Sequence, residues 1–256
     1  LWSLVTALSA DQRDPDDPAT SRDPMTERHL GFDVRFSANA ASFGPLALTN
    51  VAVSVLADPK RSQVEILDSD LLSGSLTAQL QMQTPRTKAR LSIRGVNFST
   101  LASQMALKGP TINAPTSLDL TFATEGAITD APGSDLSGTL KVTAQSGEVE
   151  GLSLSELRAL AAKGTYFSLD QARNGPTEFQ SLELIAKIVA GNAEIQTGRL
   201  AGQNQFLSVS GVIPYLTQSL ALSAAVEDTT ANQPQVNLFV GGAWPNPVIW
   251  PVTPDR

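Results

Sequence analysis

Residues 74–82 read Gly-Ser-Leu-Thr-Ala-Gln-Leu-Gln-Met, and residues 91–94 read Leu-Ser-Ile-Arg. Leu76, Ala78, Leu80 and Met82 fall on alternate positions, with Thr77, Gln79 and Gln81 between them. A period of two puts one set of side chains on each face of a pleated strand. Leu91 and Ile93 repeat the pattern between Arg90, Ser92 and Arg94.

The alternation recurs on both sides of this stretch. Upstream, Leu30, Phe32, Val34 and Phe36 share a face, with Asp33 and Arg35 on the other; Leu46 and Leu48, then Val51, Val53 and Val55, follow. Downstream, Leu118, Leu120 and Phe122 oppose Asp119 and Thr121, and Leu140, Val142 and Ala144 oppose Lys141, Thr143 and Gln145. Later runs are Leu182-Leu184-Ala186-Ile188, Leu207-Val209, Leu220-Leu222-Ala224-Val226 and Val236-Leu238-Val240. Gly, Pro, Asn or Asp marks most gaps, as turns require. A sheet with one apolar and one polar face is usually antiparallel. The fold expected is therefore mainly β, a long, curled, antiparallel-rich sheet with two short helices, shaped either as an open groove or as a sandwich.

The helices are expected over Ser99 to Lys108, stopped by Gly109-Pro110, and over Ser155 to Lys163, stopped by Gly164. A serine caps free N–H groups, and Lys then Gly is a common helix stop. Glu156 lies three residues after Ser153, which allows a capping box if the helix starts earlier. Gly95 to Leu101 echoes Gly151 to Leu157 in residue type. Residues 1–28 read as a terminal strand and acidic, proline-rich linker, and residues 29–256 as one β-rich domain. The echo divides that domain into two strand–helix–strand units, about 29–137 and 138–256, unless capping chemistry alone makes the two helices alike.

Composition narrows the chemistry. The formal charge is −7, and the 18 Lys and Arg are scattered, whereas nucleic-acid binders gather them on one face. No nucleic-acid partner is expected. There is no cysteine, which removes thiolate catalysis and Cys-based zinc sites. No run approaches the roughly 20 apolar residues of a membrane span. Leu1 to Leu8 is too short for an anchor and lacks the features of a signal peptide. The chain opens in mid-pattern at Leu1-Trp2, so a fragment is expected, with a membrane anchor elsewhere in the full-length protein.

The linker Ser9 to Glu27 carries Asp14, Asp16 and Asp17 without the alternating ligands and turn glycine of a calcium loop. His29 is the single histidine, and no Gly-x-Ser-x-Gly elbow accompanies it. Phosphate-cradling glycine loops are missing too. The close carboxylate pairs, Asp68/Asp70 and Glu148/Glu150, read as a turn and as exposed strand-edge charge. Aromatic residues are 5% of the chain, too few for stacking platforms. Trp244 and Trp250, grouped with Pro245, Pro247 and Pro251, read as a packed strand end or a recognition patch. The chain is not expected to be an enzyme, and no cofactor or metal is expected.

The C-terminal half carries a further pattern. Gly138-Thr-Leu-Lys-Val leads to Ser146-Gly-Glu-Val-Glu-Gly151-Leu-Ser-Leu and a helix; Asn192-Ala-Glu-Ile, Leu207-Ser-Val-Ser-Gly211-Val-Ile and Gly242-Ala-Trp-Pro-Asn-Pro247 follow. This order resembles the C-terminal region of the AsmA family (AsmA/TamB-like envelope proteins of Gram-negative bacteria). Leu91-Ser-Ile-Arg-Gly95-Val-Asn-Phe looks like the family's upstream lead into a helix. Asp70-Leu-Leu-Ser-Gly74 departs from the Tyr-Gly-Gly segment often found there, and Ala243 stands where Thr is usual. The resemblance covers roughly Leu30 to Pro247. It implies a periplasmic segment tethered to the inner membrane, with a β-groove that handles phospholipid for transport toward the outer membrane. Phospholipid acyl chains are the expected partner, with Leu76, Leu80, Leu91, Ile93, Leu118, Leu120, Phe122, Leu140 and Val142 as groove candidates. The alternative is a structural or interaction module for outer-membrane protein assembly, its apolar faces closed on each other.

Overall fold

The structure, a computed structural model, describes residues 31–59, 61–125, 133–228 and 235–252. The acidic linker, its aspartates, His29 and Leu30 lie outside them. The long strands run in chain order as β1 (Phe32–Phe43), β2 (Leu46–Asp58), β3 (Arg61–Leu71), β4 (Gly74–Gln83) and β5 (Arg86–Asn97). Helix α1 (Phe98–Gln104), β6 (Thr111–Asn113), β7 (Pro115–Glu125) and β8 (Ser137–Glu150) follow. Next come α2 (Leu154–Ala161), β9 (Phe167–Ser168), a 3-10 turn (Leu169–Ala172), β10 (Thr177–Val189) and β11 (Asn192–Ala201). The last four are β12 (Gln205–Pro214), β13 (Ser219–Asp228), β14 (Val236–Ala243) and β15 (Val248–Val252).

All fifteen strands form one open antiparallel sheet, ordered β1-β2-β3-β4-β5-β7-β8-β10-β11-β12-β13-β14-β15-β9, with β6 beside the end of β8. The period-two pattern thus gives one continuous sheet rather than two packed ones. Most neighbours are joined by tight turns. Ala190 and Gly191, with φ of 48° and 79°, form one whose left-handed residues match the twist of a hairpin.

Both helices begin earlier than the serines at 99 and 155. Asn97 Oδ1 accepts from Thr100 N at 3.2 Å, and Ser153 Oγ accepts from Glu156 N at 3.3 Å. Each cap is the extended last residue before its helix, with an oxygen that reaches the third following N–H. Helix α1 also ends before Lys108. Ala106 adopts φ 53°, so its N–H bonds Ser103 O and the N–H of Leu107 bonds Ala102 O. That is a Schellman stop with alanine in the place glycine usually takes.

Strict alternation breaks along a line near the helix ends. Leu46 and Leu48 point inward on even numbers and Val51, Val53 and Val55 on odd ones, all buried. Asn50, with φ 52°, sits at the switch, and the β2–β3 register shifts there. Gly95, with φ 67°, marks the same switch between Ile93 and Val96 of β5. Ser146, with φ 42°, separates Ala144 from Val149 in β8. Such bulges bend strands and increase twist.

The bending lets the sheet wrap its own helices. Strand β9 follows α2 closely after β8, yet pairs with β15, six steps further along the sheet. Arg158 of α2 donates from Nη1 to Val226 O of β13 at 3.3 Å, and Leu169 N donates to Pro247 O at 3.2 Å. One buried cluster therefore unites Ala144 and Val149 of β8, Leu154 and Leu157 of α2, Val226, Leu238 and Ile249. A second holds Leu48, Val51, Val53, Leu71, Leu76, Ile93 and Val96 around Leu101 of α1. No buried residue belongs to both. The two helical segments echo each other in place as well as sequence: a long strand, a capped helix, a short strand, then a long strand pairing back on the first.

Candidate functional site

The register brings all nine groove candidates to one face. Leu76, Ile93, Leu118 and Val142 lie side by side across β4, β5, β7 and β8, continued by Leu184 of β10. Ala78, Leu91, Leu120, Leu140 and Ala186 form the next row. Leu80, Ala89, Phe122 and Gly138, followed by Ile188, form the third.

Burial separates these rows. Leu76, Ile93 and Val142 are 4%, 6% and 7% exposed and act as core. Leu91 and Leu118 are half-buried against the cluster around α1. Leu80, Leu120, Phe122 and Leu140 are also half-buried, and belong to neither cluster. They form an apolar strip from β4 to β8, about 14 Å across three strand spacings. Beyond it Thr87 and Thr124 are buried again. Among the described residues the only elements off the sheet are α1, α2 and the 3-10 turn, and they pack at the cores rather than on this strip. Ile188 extends the strip at its third row, and Leu184 extends the first row beside Val142. Their signal was the Leu182-to-Ile188 alternation, but only the register shows them beside Val142 and Gly138.

The opposite face is charged. Arg94, Asp119, Lys141 and Glu183 alternate in sign across β5, β7, β8 and β10, with ion pairs of 2.7 Å for Arg94–Asp119 and 3.4 Å for Lys141–Glu183. Opposite charges across strands hold register, and this ladder fixes the leucine rows on the other side. The Arg94 guanidinium holds the Asp119 carboxyl below its ordinary value; partial desolvation works the other way, and the Ser92 hydroxyl, donating at 2.9 Å, adds to the lowering. A depressed carboxylate stabilises the fold above its unfolded pKa and loses that contribution as pH falls through the folded value. Asp119→Asn should therefore cost up to about 1 kcal/mol near neutral pH, because the pair is half-exposed. The difference from the parent chain should shrink as pH drops below 3.8. Urea midpoints of both chains between pH 7 and 3 check this; a difference independent of pH contradicts it. A depression of about 400 Å³ on this face is lined by Gln79, Lys88, Arg90 and Thr121 among others.

The carboxylate pairs stand differently from the sequence reading. Asp68 and Asp70 lie within β3 rather than in a turn, and Asp70 accepts from Asn50 at 2.6 Å. Glu148 and Glu150 are not edge charge, since β8 lies between β6 and β10. Glu150 accepts from Ser99 and Thr111, and Asn113 donates to both glutamates. They tie α1 and β6 to the sheet. Trp250 stacks on Tyr166, ring centroids 5.9 Å apart, opposite Phe239, and all three are exposed. Trp244 packs on Gly109.

Among the described residues no helix is long and apolar enough to cross a membrane. The chain matches no known protein family, no curated protein and no solved structure.

Proposed function

We propose that this chain is a non-catalytic, lipid-handling segment that seats phospholipid acyl chains on the apolar strip of its curled sheet. The observation that carries the reading is the position of Leu80, Leu120, Phe122 and Leu140. They are half-buried aliphatic and aromatic side chains in register between two closed cores. A passive surface of this kind gains about 0.8 kcal/mol for each CH₂ it removes from water, with no reacting group needed. The segment order that resembles the AsmA family supports placing it in the periplasm, tethered to the inner membrane by another part of the protein, on a route toward the outer membrane.

The test is native mass spectrometry of the chain purified without detergent, with organic extraction of whatever is bound. Co-purified phospholipid is expected. Leu120→Asp with Leu140→Asp should remove it while circular dichroism stays unchanged, because both positions are partly open to solvent. A clean apo mass that takes up no added phosphatidylethanolamine or phosphatidylglycerol would sink the proposal. A second reading, a module for outer-membrane protein assembly, is favoured by the exposed Tyr166–Trp250–Phe239 surface of the last strands. Aromatic side chains of this kind anchor protein interfaces.

A further inference from the structure

Strand β1 ends the sheet. It pairs with β2 on one side, and no described strand pairs with its other edge. The apolar face does not stop before that edge. Phe32, Val34 and Phe36 lie in register with Ala57, Val55 and Val53, which are buried, yet they are themselves 41%, 47% and 44% exposed. An edge of this length with an apolar face is a template for another strand, and soluble proteins usually blunt such edges with charge, proline or a bulge. Here the described stretch from Phe32 to Phe43 contains no proline and only two charged residues, Asp33 and Arg35.

Those two charges lie on either side of Val34. We propose that β1 is a self-pairing edge, where a second copy of this chain adds its own β1 antiparallel about a two-fold axis at Val34. In that register Phe32 stands opposite Phe36 of the second copy, twice by symmetry, and Val34 stands opposite itself. Asp33 stands opposite Arg35, also twice, on the polar face. Opposite charges and aromatic pairs placed directly across strands each favour association. The alternatives are penalised. A slip of two residues one way sets Asp33 against Asp33, and the other way Arg35 against Arg35. A slip of one residue turns the phenylalanines to the polar face. The same two charges therefore both select the register and reject its neighbours, as specific interfaces do. A two-fold contact is satisfied by two copies and does not propagate.

This inference is independent of lipid binding. It is tested by sedimentation equilibrium of the full 256-residue chain and three variants. The parent's weight-average mass should rise with concentration from 27.0 kDa toward twice that value. Arg35→Asp should weaken association about tenfold or more, because each of two attractive cross-strand pairs becomes repulsive. Asp33→Arg should do the same. Asp33→Arg with Arg35→Asp reverses both charges and should restore association. Both substituted positions, Asp33 and Arg35, are exposed, and circular dichroism checks that each variant is folded. Hydrogen exchange of the parent chain gives a readout free of variants: β1 amides should gain protection as concentration rises. A parent chain that stays monomeric overturns the inference. So does association indifferent to the single reversals, or β1 exchange indifferent to concentration.

Discussion

Leu154→Ala lowers stability by about 3–5 kcal/mol, in the upper range for a buried leucine, and loosens one half of the sheet before the other. Leu154 is 1% exposed at the first turn of α2. Its N–H donates to Thr177 Oγ1 at 3.1 Å, and the same hydroxyl donates to Leu152 O at 2.6 Å. The helix is thus pinned where the leucine enters the core. The cavity left by truncation cannot close easily, because hairpins hold the surrounding strands and α2 fills the curl. Its buried cluster includes Val149, Phe167 and Phe179, none of which lies in the cluster around α1. In a sheet built from nearest-neighbour contacts, stability is distributed along the order of strands. Hydrogen exchange should therefore show β10 to β14 losing protection well before β2 to β5. Leu101→Ala, buried on α1 at the place that Leu157 holds in α2, should produce the reverse order. Uniform loss of protection in both variants would mean that the two clusters unfold as one.

Side-chain alternation was enough to place the strands, because a sheet face is a local property of the chain. The nine leucine-row residues are assigned to one face by parity within each strand, and antiparallel pairing then aligns them. What alternation lacked was information carried by neighbouring strands. The parity switches at Asn50, Gly95 and Ser146 depend on partners across the sheet, although Asn and Gly there are residues that tolerate left-handed backbone. The difference between core and strip was illegible for the same reason. Val142 and Leu140 are equivalent in sequence. Val142 is buried and Leu140 only partly so, because the curl and the helices cover one row and not the next. The stop of α1 was misplaced because Ala106 does what Gly109 was expected to do. Glu148 and Glu150 looked like edge charge because β6, the short strand that covers them, has only three residues and no alternation to read.

Gly109 had a different task from ending a helix, and replacing it should have the second large effect. Its φ is 113°, and a Cβ built there would lie 2.7 Å from Cη2 of Trp244, with Cζ2 closer still. Gly109 follows α1, whereas Trp244 follows β14, near the far end of the sheet order. Their contact is therefore a point where the curling sheet comes back upon its middle. Gly109→Val is expected to cost about 2–6 kcal/mol, combining backbone strain of about 1–3 with overpacking of about 1–3. Trp244→Ala removes the ring that causes the overpacking but leaves the backbone strain. The double variant should then be more stable than the sum of the singles requires, with a coupling of about 1–3 kcal/mol. Urea unfolding of the four chains measures that coupling. Additive losses would mean that Trp244 does not rest on Gly109, and the sheet would then be flatter than the one described. A flatter sheet would spread the strip of Leu80, Leu120, Phe122 and Leu140 into open solvent, where an acyl chain could be buried on one side only. The coupling energy at this distant contact therefore bears directly on whether the strip is concave enough to hold a lipid.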